Sequence, residues 1–124
     1  MIYLNSVVTG IGEEVADLLD GGVLVLYADG APPALAEVSV QHLSDVVHVK
    51  PPQVGAKVTL AGCKTEITAV GETAWAKVTD IGHVVFNFNG AGKADRPGEI
   101  CLQPCDLSSL GASLTAGSSI VISE

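Results

Sequence analysis

Two similar stretches of the chain decide the fold: IGEEVADLLDGGVLVLYADGA at residues 11–31 and VGETAWAKVTDIGHVVFNFNGA at residues 70–91. Glycines stand at matching positions in the two stretches, in the pairs Gly12 and Gly71, Gly22 and Gly82, and Gly30 and Gly90. Glycine permits backbone conformations that other residues resist, so its recurrence at the same joints has a structural reason. The two stretches therefore predict two copies of one structural unit.

The similarity continues along the chain in the same order. Two further pairs of segments match, EVSVQ at residues 37–41 with EICLQ at 99–103, and GAKVTL at 55–60 with GSSIVI at 117–122. The period is about 60 residues, and the alternative is coincidence among 14 glycines and many valines and alanines. The agreement in order favours duplication. We predict one domain over residues 1–124, with pseudo-repeats at about 2–62 and 64–123.

Each copy has the pattern of a strand, a short helix and two or three further strands. The first helix is predicted from an apolar stripe at Ile11, Val15, Leu18 and Leu19, and the second from the stripe Val70, Ala74 and Val78. Two helices are too few to cover a parallel α/β sheet, and antiparallel strands from both copies hide their edges best by closing together. We predict a mainly β fold: a small closed or near-closed antiparallel barrel of two β-α-β-β(-β) halves with two short helices.

Composition excludes several classes of partner. The net charge is -8 with only six Lys and Arg and no basic run, which disfavours nucleic acid and anionic membranes and suits a protein with a basic face. The start of the chain does not resemble a signal peptide, and the longest apolar run, residues 23–28, is too short to cross a bilayer. Three irregularly spaced cysteines predict neither disulfides nor a metal site. We expect a cytoplasmic protein without membrane insertion.

No nucleophile elbow, phosphate-binding loop or dinucleotide motif occurs, so the search for chemistry reduces to three histidines. His42 closes a predicted strand at residues 38–42 and precedes a predicted turn, which would leave it partly buried and partly reachable. In the second copy the matching segment EICLQ is followed by Pro104, so a proline occupies the position that matches His42. The two halves therefore differ at this position. The alternative is a surface histidine without a role. His48 and His83, each taken alone, are interpreted as structural or solvent-facing residues and not as catalytic ones.

The motif GAPPALAEVSVQH at residues 30–42 resembles the phosphorylation segment of the glucitol/sorbitol-specific IIA components of the phosphoenolpyruvate-dependent sugar phosphotransferase system. AVGETAWAKVTDIGHVVFNFNG at 69–90 and RPGEI at 96–100 resemble later segments of that family. The resemblance implies that His42 accepts a phosphoryl group from HPr and passes it to a IIB component, with no cofactor. The sequence departs from the pattern at Lys77-Val78, and at Ser44, where some members carry a second histidine.

His83 also breaks the repeat, since it matches Gly22 or Val23 of the first copy. If the barrel brings it near His42, it could donate a hydrogen bond to the phosphoryl oxygens or orient the attacking imidazole. The alternative is that it caps the C-terminus of the preceding helix. Two other functions stay open: a non-catalytic barrel of the same ancestry that binds a ligand or partner, and a small hydrolase, which lacks a paired nucleophile and base.

Overall fold

The computed structural model describes residues 1–124. It contains eight strands and four helices, in the order β1 Ile2–Ile11, α1 Val15–Asp20, β2 Val23–Ala28, α2 Pro33–Ala36, β3 Ser39–Val47, β4 Lys57–Leu60, β5 Cys63–Val70, α3 Ala74–Ile81, β6 Val84–Asn87, β7 Glu99–Leu102, α4 Leu107–Ser113 and β8 Ser119–Ser123. None of the helices has the length and apolar character that crossing a membrane requires.

The strands form one closed barrel in the order β1-β3-β2-β6-β7-β5-β4-β8, with β8 returning to β1. The predicted mainly β barrel is therefore confirmed. Buried and less buried side chains alternate along strands such as β5 and β6, and the inward ones fill the interior with aliphatic residues and the fully buried Phe86. The buried residues of α1 are Val15 and Leu19. Ile11, which was predicted to begin the apolar stripe of this helix, belongs to β1 instead.

The barrel is not wholly antiparallel, which corrects the prediction: β2 pairs with β3, and β6 with β7, in parallel. Residues 29–38 and 88–98 connect these pairs and carry the chain back along the barrel, a crossover that a hairpin turn cannot provide. The first crossover contains α2. The sequence analysis missed two helices, α2 and α4. An aspartate just before a helix is a common N-cap, so Asp106 was a sequence signal for α4. Its carboxylate accepts a hydrogen bond from the Ser109 N–H at 3.1 Å.

Exchanging the first four strands for the last four leaves the set of strand pairings unchanged. The register gives the counterpart of His42 directly. In this exchange β5 takes the place of β1, and β7 takes the place of β3. His42 of β3 pairs with Val8 of β1. The corresponding pair in the second half is Leu102 of β7 with Ile67 of β5, so Leu102 is the counterpart of His42. The sequence match to Pro104 was therefore wrong by two residues. The second half has a fully buried leucine where the first has the histidine. Duplication itself remains our prediction.

Gly12 lets the strand before α1 approach the start of β3 closely. Its N–H donates to the Ser39 carbonyl oxygen at 3.0 Å, and a Cβ atom at this position would overlap the carbonyl oxygens of Ala36 and Glu37. Gly71 has the same relation to the segment before β7: its N–H donates to the Glu99 carbonyl oxygen at 2.7 Å. These contacts set the position of β3, which carries His42.

Substituting Gly12→Ala should lower the free energy of unfolding by about 2 kcal/mol, the typical cost of forcing extra volume into a packed site. Gly98→Ala is the matched control, because a Cβ there meets no atom within 4 Å. Urea denaturation of both variants measures the difference. Equal stabilities would contradict the role given to Gly12.

Candidate active site

His42 lies in the middle of a strand, not at its end. β3 continues to Val47 because β1, ten residues long, keeps pairing with it, for example through Ser6 opposite Ser44. Residues 43–45, predicted as a turn, are thus part of β3. The His42 side chain points into the barrel and is only 2% exposed. The expectation that the ring is partly reachable is therefore wrong.

Both ring nitrogens of His42 have hydrogen-bond partners. Nε2 lies 2.7 Å from the Gly82 carbonyl oxygen, and Nδ1 lies 2.6 Å from the Ser6 hydroxyl oxygen. A carbonyl oxygen can only accept, so Nε2 carries the proton and Nδ1 accepts from the Ser6 hydroxyl. Ser44 extends this network: its hydroxyl donates to Ser6 at 3.3 Å and its oxygen lies 3.5 Å from Nδ1. The ring is fixed in one tautomer.

Burial lowers the pKa of His42 below its ordinary value of 6.5, because the charged imidazolium loses its hydration. The hydrogen bond to the Gly82 carbonyl acts in the opposite direction and raises that pKa, but burial is the larger effect. The ring is therefore neutral near neutral pH, with an unprotonated nitrogen. A neutral imidazole with a free lone pair is the form that acts as a nucleophile.

Gly82 links the histidine to the end of α3. It adopts the left-handed conformation, with φ of 65°, and its N–H donates to the Val78 carbonyl oxygen at 3.0 Å. A Cβ there would lie 3.0 Å from Ala28 on the neighbouring strand, so the space is closed on that side. The helix end and β2 together hold the Gly82 carbonyl against His42.

His83 follows Gly82 directly but its ring turns elsewhere. Nδ1 donates to the Leu26 carbonyl oxygen at 3.1 Å, and the ring lies tilted against Tyr27 at a centroid distance of 5.4 Å. Its backbone N–H donates to the Lys77 carbonyl oxygen at 3.3 Å, so the main chain helps to cap α3 while the side chain does not. The two histidines are connected only indirectly: His42 Nε2 donates to the carbonyl oxygen of Gly82, the residue that precedes His83.

The third histidine serves packing. His48 meets Tyr3 edge-on at a centroid distance of 6.2 Å, and its Nδ1 accepts from the Lys50 N–H at 3.0 Å. The three cysteines form no disulfide. Burial raises the pKa of the Cys101 thiol, and the nearby Glu99 carboxylate raises it further. No three metal-ligating side chains come together.

The sequence analysis found His42 but missed both of its partners. Ser6 had a detectable signal, because it is a polar residue at an inward position of β1, between Leu4 and Val8 in a period of two. It is 1% exposed. Gly82 had no such signal, since its contribution is a carbonyl oxygen that only the folded chain aims at the ring.

Comparison with solved structures concerns the fold. The fold matches "The Crystal Structure of PTS System IIA Component from Enterococcus faecalis V583" with a TM-score of 0.76 over 94% of this chain and 96% of that chain. Sequence identity is 18%, so this likeness shows a shared fold.

The sequence profile described as "PTS system glucitol/sorbitol-specific IIA component" matches residues 3–121. Two relatives, each described as "PTS system glucitol/sorbitol-specific EIIA component", come from Shigella flexneri and Escherichia coli (strain K12). Each is 28% identical over 103 residues, which cover 80% of this chain and 80% of the relative. The chain belongs to the glucitol/sorbitol-specific IIA family of the sugar phosphotransferase system, which confirms the resemblance and implies a role in phosphotransfer.

The lowered pKa of His42 predicts a pH-dependent stability. Unfolding frees the ring to take up a proton at its ordinary pKa of 6.5, whereas the folded protein resists protonation until lower pH. The stability of the wild type should thus fall as the pH drops through this window. His42→Gln lacks this contribution, so its unfolding free energy should change less between about pH 7.5 and about pH 5.5. Parallel curves for the two proteins in denaturant titrations would disprove the effect.

Proposed function

We propose that this protein is the cytoplasmic phosphoryl carrier of a glucitol/sorbitol uptake system, taking the phosphoryl group from phospho-HPr on His42 and passing it to a IIB component. The observation that carries the proposal is the geometry of the His42 ring, which two hydrogen bonds hold in one orientation with Nδ1 as an acceptor. Burial lowers the pKa of the ring, which favours its neutral form. His42 lies at the end of the segment that resembles the family's phosphorylation motif.

The proposed chemistry needs no further reactant. The unprotonated nitrogen of His42 attacks the phosphorus of a phosphohistidine on HPr, a new P–N bond forms and the donor's P–N bond breaks. Transfer to the IIB component repeats the exchange. Because the bonds made and broken are similar, the protein mainly has to align donor and acceptor and keep water out.

The outer face of β1 and β3, on the side of the barrel wall away from the His42 ring, offers contacts for a partner protein. Val7 and Leu43 face each other across β1 and β3 and are 45% and 63% exposed. The exposed Asp29 lies next to them in the fold: its N–H donates to the His42 carbonyl oxygen at 2.9 Å. An apolar pair beside an acidic side chain, on a chain of net charge -8, suits partners with apolar and basic contact residues.

The test is phosphorylation in a purified system of phosphoenolpyruvate, enzyme I and HPr. Wild type should gain the mass of one phosphoryl group in an acid-labile, alkali-stable form, as phosphoramidates do. His42→Ala should gain none, while His48→Ala, the matched control, should be labelled normally. A labelled His42→Ala variant would exclude His42 as the carrier.

A second function is favoured by one observation: His42 is almost completely enclosed. A barrel that binds a ligand or partner without transferring phosphate needs no exposed nucleophile. The same experiment separates the two functions. A folded wild type that stays unlabelled while HPr itself becomes phosphorylated would support the binding function.

His83 supports the transfer as a positioning residue in this proposal, because its ring anchors the peptide whose carbonyl holds His42. His83→Ala should slow phosphoryl transfer by roughly 2- to 10-fold, the factor that one hydrogen bond of about 0.5–1.5 kcal/mol represents. Rapid-quench measurement of the rates to and from His42 provides the readout. Unchanged rates would leave His83 a purely structural residue.

A further inference from the structure

The enclosure of the His42 ring is weaker on one side than on the other. The hydrogen bond between the ring and the Gly82 carbonyl oxygen is part-buried, whereas the one between the ring and the Ser6 hydroxyl is buried. Opening the Ser6 side would break β1, a strand of ten residues that pairs with both β3 and β8. The Gly82 side is closed by the turn between α3 and β6, which contains Gly82 and His83 and belongs to no strand.

The turn Gly82–His83 has few attachments to the barrel. Its two N–H groups both donate to carbonyl oxygens of α3, the helix from which it comes. The buried residues of α3 all precede its last three positions, so the end of this helix is itself weakly anchored. The His83 ring provides the attachment to β2, because Nδ1 donates to the Leu26 carbonyl oxygen at 3.1 Å and the ring lies against Tyr27.

The first half of the barrel contains a fixed version of this turn. The register of β2 with β6 is symmetric, so Gly22, which precedes β2, corresponds to Gly82. The Gly22 carbonyl oxygen accepts from the Phe88 N–H at 2.9 Å, a backbone bond that prolongs the sheet. The Gly82 carbonyl oxygen accepts from the His42 ring instead. A bond to a side chain therefore stands in the second half where the first half has a bond between strands.

The same symmetry makes Tyr27 and His83 a cross-strand pair. Val23 pairs with Asn87 in the regular part of the β2–β6 register, and the image of this pair is Tyr27 with His83. The two rings lie 5.4 Å apart between centroids. Because β6 begins only at Val84, side chains and not regular strand pairing hold this pair together.

We propose that the turn Gly82–His83 is a gate over His42, and that Tyr27 and His83 form the latch that keeps it closed. The gate is shut in this structure. When a donor or acceptor protein docks, the turn moves away from β2 and uncovers the ring, and it returns after transfer. This inference rests on the proposed carrier function and adds the route by which a buried histidine meets its partners, with Tyr27 as a further positioning residue.

A gate at this place suits both the backbone and the chemistry. Gly82 has a φ of 65°, and glycine tolerates the large backbone rotations that a hinge requires. Movements of such loops and helix ends take microseconds to milliseconds, which is fast enough for turnover. A turn that opens only for a docked partner also keeps bulk water away from the reacting ring, which limits loss of the phosphoryl group by hydrolysis.

A covalent latch tests the gate. Tyr27→Cys combined with His83→Cys places two thiols at a cross-strand pair, where Cβ atoms lie about 4.5–5.5 Å apart, and a disulfide there would tie the turn to β2. Mild oxidation should form the bond, which mass spectrometry detects as the loss of two hydrogens. Wild type treated in the same way is the control for the three native cysteines.

Phosphorylation with phosphoenolpyruvate, enzyme I and HPr provides the first readout. The oxidised variant should take up no phosphoryl group, and dithiothreitol should restore the uptake. Uptake by the oxidised variant at the rate of the reduced one overturns the gate and leaves the carrier function standing. Wild type that stays unlabelled overturns the carrier function instead. In that case, or if the reduced variant is not labelled, the acylation rate of His42 decides whether the gate exists.

Acylation by diethyl pyrocarbonate, a small reagent that modifies neutral imidazole, measures opening of the gate without a partner protein. Mass spectrometry of peptides reports His42 and His48 separately. The disulfide should slow acylation of His42 by roughly 30-fold or more relative to the reduced variant, the low end of the stabilisation that a disulfide provides. Acylation of the half-buried His48 should not change. Equal rates at His42 in the oxidised and reduced variant would contradict the gate.

Tyr27→Leu tests the latch if the disulfide does not form. It removes the aromatic contact with His83, so the gate should open more often and His42 should be acylated roughly 2- to 5-fold faster, the factor of one cross-strand pair. A small reagent reports only how often the ring is uncovered, whereas transfer also depends on the orientation of the ring. Val25→Ala, on the same face of β2 but farther from the turn, is the matched control and should leave the rate unchanged. Equal acylation rates in these two variants overturn the proposal.

Discussion

Closure of the sheet is the constraint on which the rest of this structure depends. Each strand has a hydrogen-bonded neighbour on both sides, so no edge is left to pair with another chain. Closure also defines an inside, and β3, a strand of the barrel wall, points the side chains of Val40 and His42 into it. The burial of the histidine, its lowered pKa and its fixed tautomer all follow from that position. A histidine at the same place in an open sheet would keep its hydration and titrate near its ordinary pKa.

The sequence predicted the barrel because its glycines and apolar alternation report directly on backbone geometry. Gly12 and Gly71 mark close backbone contacts, and Gly82 marks a left-handed helix end. Strand direction was not predictable in the same way. The parallel pairs depend on where residues 29–38 and 88–98 lead the chain, and no local pattern encodes that path.

The candidate site was predictable in part. His42 was found from its motif, but its environment was not, because β3 extends beyond it through pairing with β1 that the turn-like residues 43–45 concealed. Ser6 could have been noticed as an inward polar residue. The Gly82 carbonyl could not, since it comes from a distant element and carries no side-chain identity. Sequence patterns thus identified the reactive group and missed what holds it.

The order of the strands has a consequence for how the chain folds. β4 lies between β5 and β8, and β8 lies between β4 and β1, so neither half closes a sheet from its own strands. β1 can pair with β3 early, but its other edge stays unpaired until residues 119–123 reach it, and pairing across so long a stretch of chain carries a loop-closure entropy cost. During synthesis the barrel can close only after β8 has left the ribosome, so the first half spends that time with unpaired strand edges that chaperones are suited to shield.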